Sequence, residues 1–302
     1  MLFEPRLRSN ILAGKTAIVT GGARGIGGGA TTMLAANGAH VVIADVDETK
    51  ANETATDLNK ELGEGTASAF AADLAANGAC DQLVEFAMDN HGGVDIVVNA
   101  AGYVWDGGLH TMTDEQFQAM LDIHTVVPFR MARATAPIFK AAAEADAKNG
   151  ERNYRKTVMV SSGAGVFGLP GAGNYAAGKA GVLGLMKTAA KEWGRYNVCV
   201  NAIAFGVIRT RFGMPQNERD TIETGGRTIQ VGMTTKQAAR MGVKVDPDHV
   251  PTDQEIYAET KMPCTLGRSG HIMDAGESIF YLCSPLSDYI TGQTIQVDGG
   301  LG

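Results

Sequence analysis

Tyr175 and Lys179 stand four residues apart in the stretch "GNYAAGK" (173–179), a spacing that puts both side chains on one face if the segment is helical. A free phenol gives up its proton near pH ~10. An ammonium beside it favours the phenolate and lowers that value, so the pair is expected to work as a proton donor and acceptor near neutral pH. Alone, such a pair also fits a core tyrosine with a lysine on a solvated face, and other chemistry-bearing residues must decide. Upstream, "TGGARGIG" (20–27) sets Gly21, Gly25 and Gly27 in a G-x-x-x-G-x-G loop. Glycines so placed let backbone amides and a helix N-terminus approach a pyrophosphate. Asp45 lies 18 residues beyond Gly27, where a carboxylate accepts hydrogen bonds from an adenosine ribose and repels a 2′-phosphate. That argues for NAD over NADP, with Arg24 in the glycine loop softening the preference.

Groups so far apart in the chain need a scaffold that gathers several strand ends. Short β-branched runs recur at 16–20, 40–45, 94–102, 156–162, 197–206 and 293–300, with helical patterns at 26–37, 114–147 and 175–195 among the intervals. This alternation predicts an α/β fold, a Rossmann-type doubly wound parallel sheet with helices on both faces. With 302 residues, 44% of them hydrophobic, the chain is expected to form a single domain spanning 1–302. The charged stretch 141–156 is expected to carry a helix into a surface loop. Residues 211–263 hold seven Lys/Arg and eight Asp/Glu without one dominant period. An interval of that length inside a compact domain reads as a substrate lid or an interface insertion.

A net charge of −7 favours neither nucleic acid nor an anionic membrane surface, which leaves small molecules as the expected partners. Cys80, Cys199, Cys264 and Cys283 are scattered, with no CxxC pair and no His/Cys spacing. Neither a disulfide framework nor a metal site is expected, and the reducing cytoplasm fits. No run of ~18 uncharged apolar residues suggests a membrane span, and the first residues lack the apolar core of an export signal. The 39 glycines, well above the usual ~7%, imply tight turns or close backbone approach to a ligand.

The combination "TGGARGIG", "AADLA" (71–75), "NAAG" (99–102), Ser162 thirteen residues before Tyr175, "NYAAGK", "FGVIRT" (205–210) and "ITGQTIQVDGG" (290–300) resembles the short-chain dehydrogenase/reductases over nearly the whole chain. The resemblance implies an NAD-dependent oxidoreductase that interconverts a secondary alcohol and a ketone. It implies that Ser162 orients the substrate oxygen, Tyr175 passes the proton, and Lys179 lowers the phenol pKa while holding the nicotinamide ribose. It further implies that Asp73 and Leu74 lie near the adenine, that Asn99 and Ala100 hold the loop beside the ribose, that Ile26 belongs to the glycine loop, and that Ile208 and Thr210 hold the carboxamide. Two positions depart from the pattern. Phe205 precedes Gly206 where a proline is usual, and His124 in "LDIHTVVPF" (121–129) replaces an asparagine that supports a proton-relay water. A histidine can both donate and accept, so His124 is expected to hold that water or relay a proton, unless it is a satisfied core residue.

The motifs look similar to those of 3-oxoacyl-thioester reductases and (3R)-hydroxyacyl-CoA dehydrogenases, which implies an acyl thioester substrate. A free cyclic or steroid-like alcohol is the alternative, and a catalytically silent NAD-binding regulator is the alternative of another class. Family members with such C-terminal ends commonly form tetramers, which implies a homotetramer. The long 211–263 interval implies a lid that selects substrate by size through Met214, Ile222, Ile229, Val231, Met233, Met241, Val243 and Val245.

Overall fold

The computed structural model describes residues 10–211, 221–232 and 262–302. Met214, Met233, Met241, Val243 and Val245 lie outside the described residues. Strands β1 (Thr16–Thr20), β2 (His40–Asp45), β3 (Ala67–Ala71), β4 (Ile96–Asn99), β5 (Arg155–Ser162) and β6 (Val198–Phe205) join β9 (Thr294–Val297) in one sheet. Its order is β3-β2-β1-β4-β5-β6-β9, and every pairing is parallel. This is the expected doubly wound α/β fold. The central strands read as continuous apolar runs because both of their faces are covered. On one face α1 (Gly25–Ala36), α2 (Glu48–Leu62) and α8 (Ile272–Cys283) contribute Leu34, Leu58, Ile279 and Leu282 to the core. On the other, α3 (Ala79–His91), α5 (Val127–Lys148) and α7 (Gly173–Trp193) contribute Leu83, Met131, Phe139 and Met186.

The chain leaves β1 toward β2 and β3, then returns to β4 on β1's other side. The crevice between the carboxyl ends of β1 and β4 is therefore the topological switch point, where this class of sheet binds ligands. Its width is fixed by Thr20, whose Oγ1 accepts from the amides of Ala100 and Ala101 at 3.1 Å each. Gly21, at φ 63°, then passes so close that a Cβ there would lie 2.8 Å from Ala101 Cα.

Several elements differ from the sequence-based expectation. β3, "ASAFA", was absent from it: the strand is alanine-rich and half-buried at the sheet edge, so it lacks the β-branched run that marks the inner strands. The helical stretch 114–147 divides into α4 (Asp114–Leu121), a π-helical turn at Asp122–Val126, and α5. The charged stretch 141–156 is not only surface, since Asp146 and Arg155 form a buried ion pair at 2.8 Å that ties the end of α5 to β5. Within 211–263, residues 221–232 contain an antiparallel hairpin of β7 (Thr221–Thr224) and β8 (Arg227–Gln230). Ile222, Ile229 and Val231 are buried beneath it. Among the described residues, no helix is long and apolar enough to cross a membrane, and no group of His, Cys, Asp and Glu could hold a metal.

The helix that follows the glycine loop packs on α8 through backbone. A Cβ at Gly29 would lie 2.4 Å from the Ile272 carbonyl oxygen, and one at Gly276 would lie 2.5 Å from the Gly29 oxygen. Gly29→Ala is expected to destabilise the fold by about 1–3 kcal/mol through overpacking. Gly184→Ala, in α7 with nothing within 4 Å of its Cβ position, is expected to stabilise by roughly 0.5–1 kcal/mol through helix propensity. Urea unfolding of the two variants checks both signs.

Candidate active site

The carboxyl ends of the inner strands open on one cavity of about 300 Å³. From the loop after β1 and the start of α1 come Gly21, Arg24, Gly25, Ile26 and Gly27; from the end of β2, Asp45; from the segment after β3, Asp73 and Leu74; from the segment after β4, Ala100. Ser162 ends β5, Tyr175 and Lys179 come from α7, His124 from the π turn, and Ile208 and Thr210 from the segment after β6. All these sequence-predicted residues line the same cavity. Asn99 does not; it is buried, and its Nδ2 faces Met159 Sδ at 3.3 Å.

The glycine half of the cavity is built for backbone contact. A Cβ at Gly27 would lie 2.1 Å from the Gly21 carbonyl oxygen, so the loop closes on itself only without side chains. Asp45 is fixed at the end of β2: Oδ2 accepts from the Ala23 amide and Oδ1 from the Asp47 amide, both at 3.1 Å. Arg24 ion-pairs with Asp47, a residue that the sequence analysis passed over. Asp47 also caps α2 by accepting from the Lys50 amide at 3.0 Å.

The other half holds Ser162, Tyr175, Lys179 and His124. Ser162 is extended, and its Oγ accepts from the Ala164 amide at 3.2 Å as the N-cap of the short helix α6 (Gly163–Phe167). It also stands beside the Tyr175 phenol and acts to lower its pKa. Its neighbour Ser161 is buried and donates to the Lys179 carbonyl at 2.8 Å, so it positions α7. Asn174, which the sequence analysis left unassigned, is fully buried. Its Nδ2 donates to the carbonyls of Trp105 and Gln116, at 2.9 and 3.0 Å, and its Oδ1 accepts from the Tyr175 amide at 2.8 Å. Tyr175 therefore starts its helix from a pinned residue.

The expected effect of Lys179 on Tyr175 is not what the structure gives. Burial raises the Tyr175 pKa, against a lowering from the Ser162 hydroxyl, and the Asp106 charge adds to the rise. Lys179 Nζ lies 5.7 Å from the Tyr175 ring centroid and donates to the Val160 carbonyl at 2.7 Å. Burial pushes Lys179 itself down to about 7. The i,i+4 spacing brings the two side chains together, but desolvation acts on both groups and weakens the ammonium that was to favour the phenolate. Asp106, on the cavity wall, is raised by burial to about 6.

His124 is buried, and its Nε2 sits 2.9 Å from the Tyr103 carbonyl oxygen. Burial, with the Lys179 charge adding to it, holds its pKa well below the ordinary histidine value. The imidazole is therefore neutral, Nε2 carries the proton that it donates to Tyr103, and Nδ1 is left as an acceptor. Nδ1 is buried with no hydrogen-bond partner among the described residues. The ring meets Tyr175 edge-on at 5.0 Å between centroids. A π turn in a helix frequently marks a functional site, but its hydrogen-bond register leaves no trace in apolar spacing.

A depressed lysine pKa is a stability statement. Below pH about 7 both folded and unfolded Lys179 are charged and the full cost of burying the ammonium is present. As pH rises from there toward the unfolded value, the folded state sheds its proton first and the cost fades. Lys179→Met is expected to be more stable than wild type below pH 7, on the order of 1–4 kcal/mol, with the gain shrinking as pH rises toward ~10. Unfolding free energies of both proteins across that range test the sign.

The comparisons agree with this geometry. Residues 15–221 match the family model described as short chain dehydrogenase, and residues 243–302 match one described as Enoyl-(Acyl carrier protein) reductase. The chain is 31% identical to a 3-oxoacyl-[acyl-carrier-protein] reductase FabG of Chlamydia muridarum, over 97% of this chain and 99% of that one. It is 30% identical to the protein of the same name from Thermotoga maritima, over 96% and 98%. It is also 38% identical to the hydroxyacyl-CoA dehydrogenase ChsB1 of Mycobacterium tuberculosis, over 64% and 61%. With its switch-point crevice, its glycine loop and a model match over most of its length, the chain belongs to the short-chain dehydrogenase family of nicotinamide-dependent oxidoreductases.

Proposed function

We propose that the protein is an NAD(H)-dependent oxidoreductase that interconverts a 3-hydroxyacyl and a 3-oxoacyl thioester. The observation that carries this reading is the convergence of Ser162, Tyr175 and Lys179 on the cavity that the glycine loop and Asp45 also line. The self-closing loop at Gly21 and Gly27 fits a pyrophosphate against backbone. Bound nicotinamide supplies or takes up hydride at the substrate carbon, chemistry that no side chain provides.

In the reducing direction Tyr175 donates its proton to the substrate oxygen, and Ser162 steadies that oxygen by a hydrogen bond. A phenol raised by burial keeps its proton until the developing alkoxide takes it. Lys179 holds the ribose and, when charged, stabilises the phenolate left behind. Neutral His124 offers Nδ1 as a fixed acceptor for a water in the proton path. Ile208 and Thr210 hold the carboxamide, Asp73 and Leu74 flank the adenine, and Asn99 and Ala100 support the ribose loop.

The preference for NAD rests on charge. Asp45 and Asp47 stand together at the end of β2, and Arg24 is ion-paired to Asp47; a 2′-phosphate would have to displace that arrangement. The thioester is supported by what the relatives' names say of those proteins. An acyl chain of some length fits a lid in 211–263, the segment that follows Thr210. The four free cysteines suit a reducing, cytoplasmic setting, and a homotetramer is the assembly we infer by analogy with the family.

Steady-state assays with 3-oxoacyl thioesters test the reading. NADH is expected to give at least about tenfold higher kcat/KM than NADPH, the order of one lost or repelled charge contact, and Asp45→Asn to narrow the gap; a wild-type preference for NADPH would overturn the NAD assignment. Tyr175→Phe is expected to lose about 10²–10⁴-fold in kcat while NADH binding, followed by fluorescence, is retained. For His124 the expected order is wild type and His124→Asn within about tenfold of each other, with His124→Ala at least tenfold lower still, as for a lost acid–base group. Because His124 is already neutral, His124→Asn should leave the pH–rate profile unchanged. Equal activity in all three proteins would make His124 a packing residue.

A further inference from the structure

The β7–β8 hairpin sits on a residue of the cofactor groove. Thr224 Oγ1 donates to Asp73 Oδ1 at 3.0 Å, and the Gly225 amide donates to Asp73 Oδ2 at 2.6 Å. Oδ1 also accepts from the Ala75 amide at 2.9 Å, so the carboxylate is fixed by its own loop and gripped by the hairpin tip. The tip is a Gly225-Gly226 turn with both residues at positive φ, 59° and 71°, the backbone of a two-residue type I′ hairpin. Asp73 lies on the adenosine side, because Asp45 pairs with Ala71 in the β2–β3 register. Ile222 and Thr224 line the same cavity as Asp45 and Asp73. Below the tip, Ile222, Ile229 and Val231 are buried in the core that Leu74 and Tyr103 share. A second anchor lies outside the groove, where Arg227 Nε donates to Glu115 Oε1 at 2.6 Å.

We propose that this hairpin is a clasp over the adenosine half of the cofactor, latched on Asp73 and Arg227–Glu115, and that cofactor enters and leaves only when the latch opens. The proposal rests on the reading of the cavity as a dinucleotide site. In that reading the segment after Thr210 serves the cofactor as well as the substrate: Asp73 holds the clasp through both carboxylate oxygens, and Oδ2, which among the described residues accepts only from Gly225, keeps a remaining lone pair for the adenine. A gate of this kind slows arrival and departure together, whereas an ordinary cofactor contact slows departure alone.

Stopped-flow nicotinamide fluorescence on the full-length protein separates these cases. Thr224→Val keeps the side-chain shape and removes the donor; it is expected to raise both kon and koff for NADH at least about tenfold, the weight of a hydrogen bond to a charged acceptor. Glu115→Gln weakens the outer anchor at a residue that lines no part of the cavity; it is expected to raise both rate constants about threefold, as befits a partly exposed ion pair. Should Thr224→Val fail to fold, Glu115→Gln decides by the same criterion. A rise in koff alone makes Thr224 a plain cofactor contact and overturns the clasp, as do unchanged rate constants in the variants. A wild-type protein that binds neither NADH nor NADPH overturns instead the cofactor reading beneath it.

Discussion

The site depends on one constraint: at the switch point, backbone must pass against backbone with nothing between. Gly21 runs beside Ala101, Gly27 folds onto the Gly21 carbonyl, and the Thr20 hydroxyl holds the two amides that follow β4. A larger side chain at either glycine would push β1 and β4 apart or lift the start of α1. Because β1, β4, β5 and β6 are parallel neighbours, a shift there would carry through to Ser162 and the α7 residues on the same rim. The sheet order and the absence of a few Cβ atoms together determine where the side chains meet.

Around that frame the electrostatics is dominated by desolvation. Lys179, Tyr175, Asp106 and His124 all have pKa values displaced toward their neutral forms, with burial the largest cause in each case. Groups that resist charge are placed here by hydrogen bonds rather than by ion pairs. Val160 holds the Lys179 amine, Tyr103 fixes the His124 ring, and the Ala164 amide fixes the Ser162 hydroxyl beside Tyr175. In the proposed reaction the charge has to come from the reacting groups, which concentrates its effect where bonds change.

Features set by local backbone geometry were legible in the sequence, and features set by the surroundings were not. The glycine loop, Asp45 and the inner strands announced themselves because each demands a residue type: no side chain, a carboxylate at a strand end, or a β-branched run. Tyr175 and Lys179 were legible through their spacing and Ser162 through the family resemblance, and the three do share one cavity. The sign of the Tyr175 shift was not, because it depends on how much water three-dimensional packing removes from the phenol. β3 escaped because an alanine-rich edge strand lacks the usual signal. The β7–β8 hairpin was legible in principle, with Gly225-Gly226 between alternating Ile222-Glu223-Thr224 and Thr228-Ile229-Gln230, but reading 211–263 as one charged interval averaged it away.

The contact between α1 and α8 has a consequence for how such a sequence can change. A Cβ at Gly29 would strike the Ile272 carbonyl and one at Gly276 the Gly29 carbonyl, so neither can drift to alanine by a single neutral step. Escape requires the two helices to separate, and α1 carries the glycine loop at its start. Substitutions that enlarge this seam would thus reach the glycine loop by moving its helix, without touching a residue of the cavity. Selection on a small internal contact between two helices, remote in sequence, is in effect selection on the shape of the crevice.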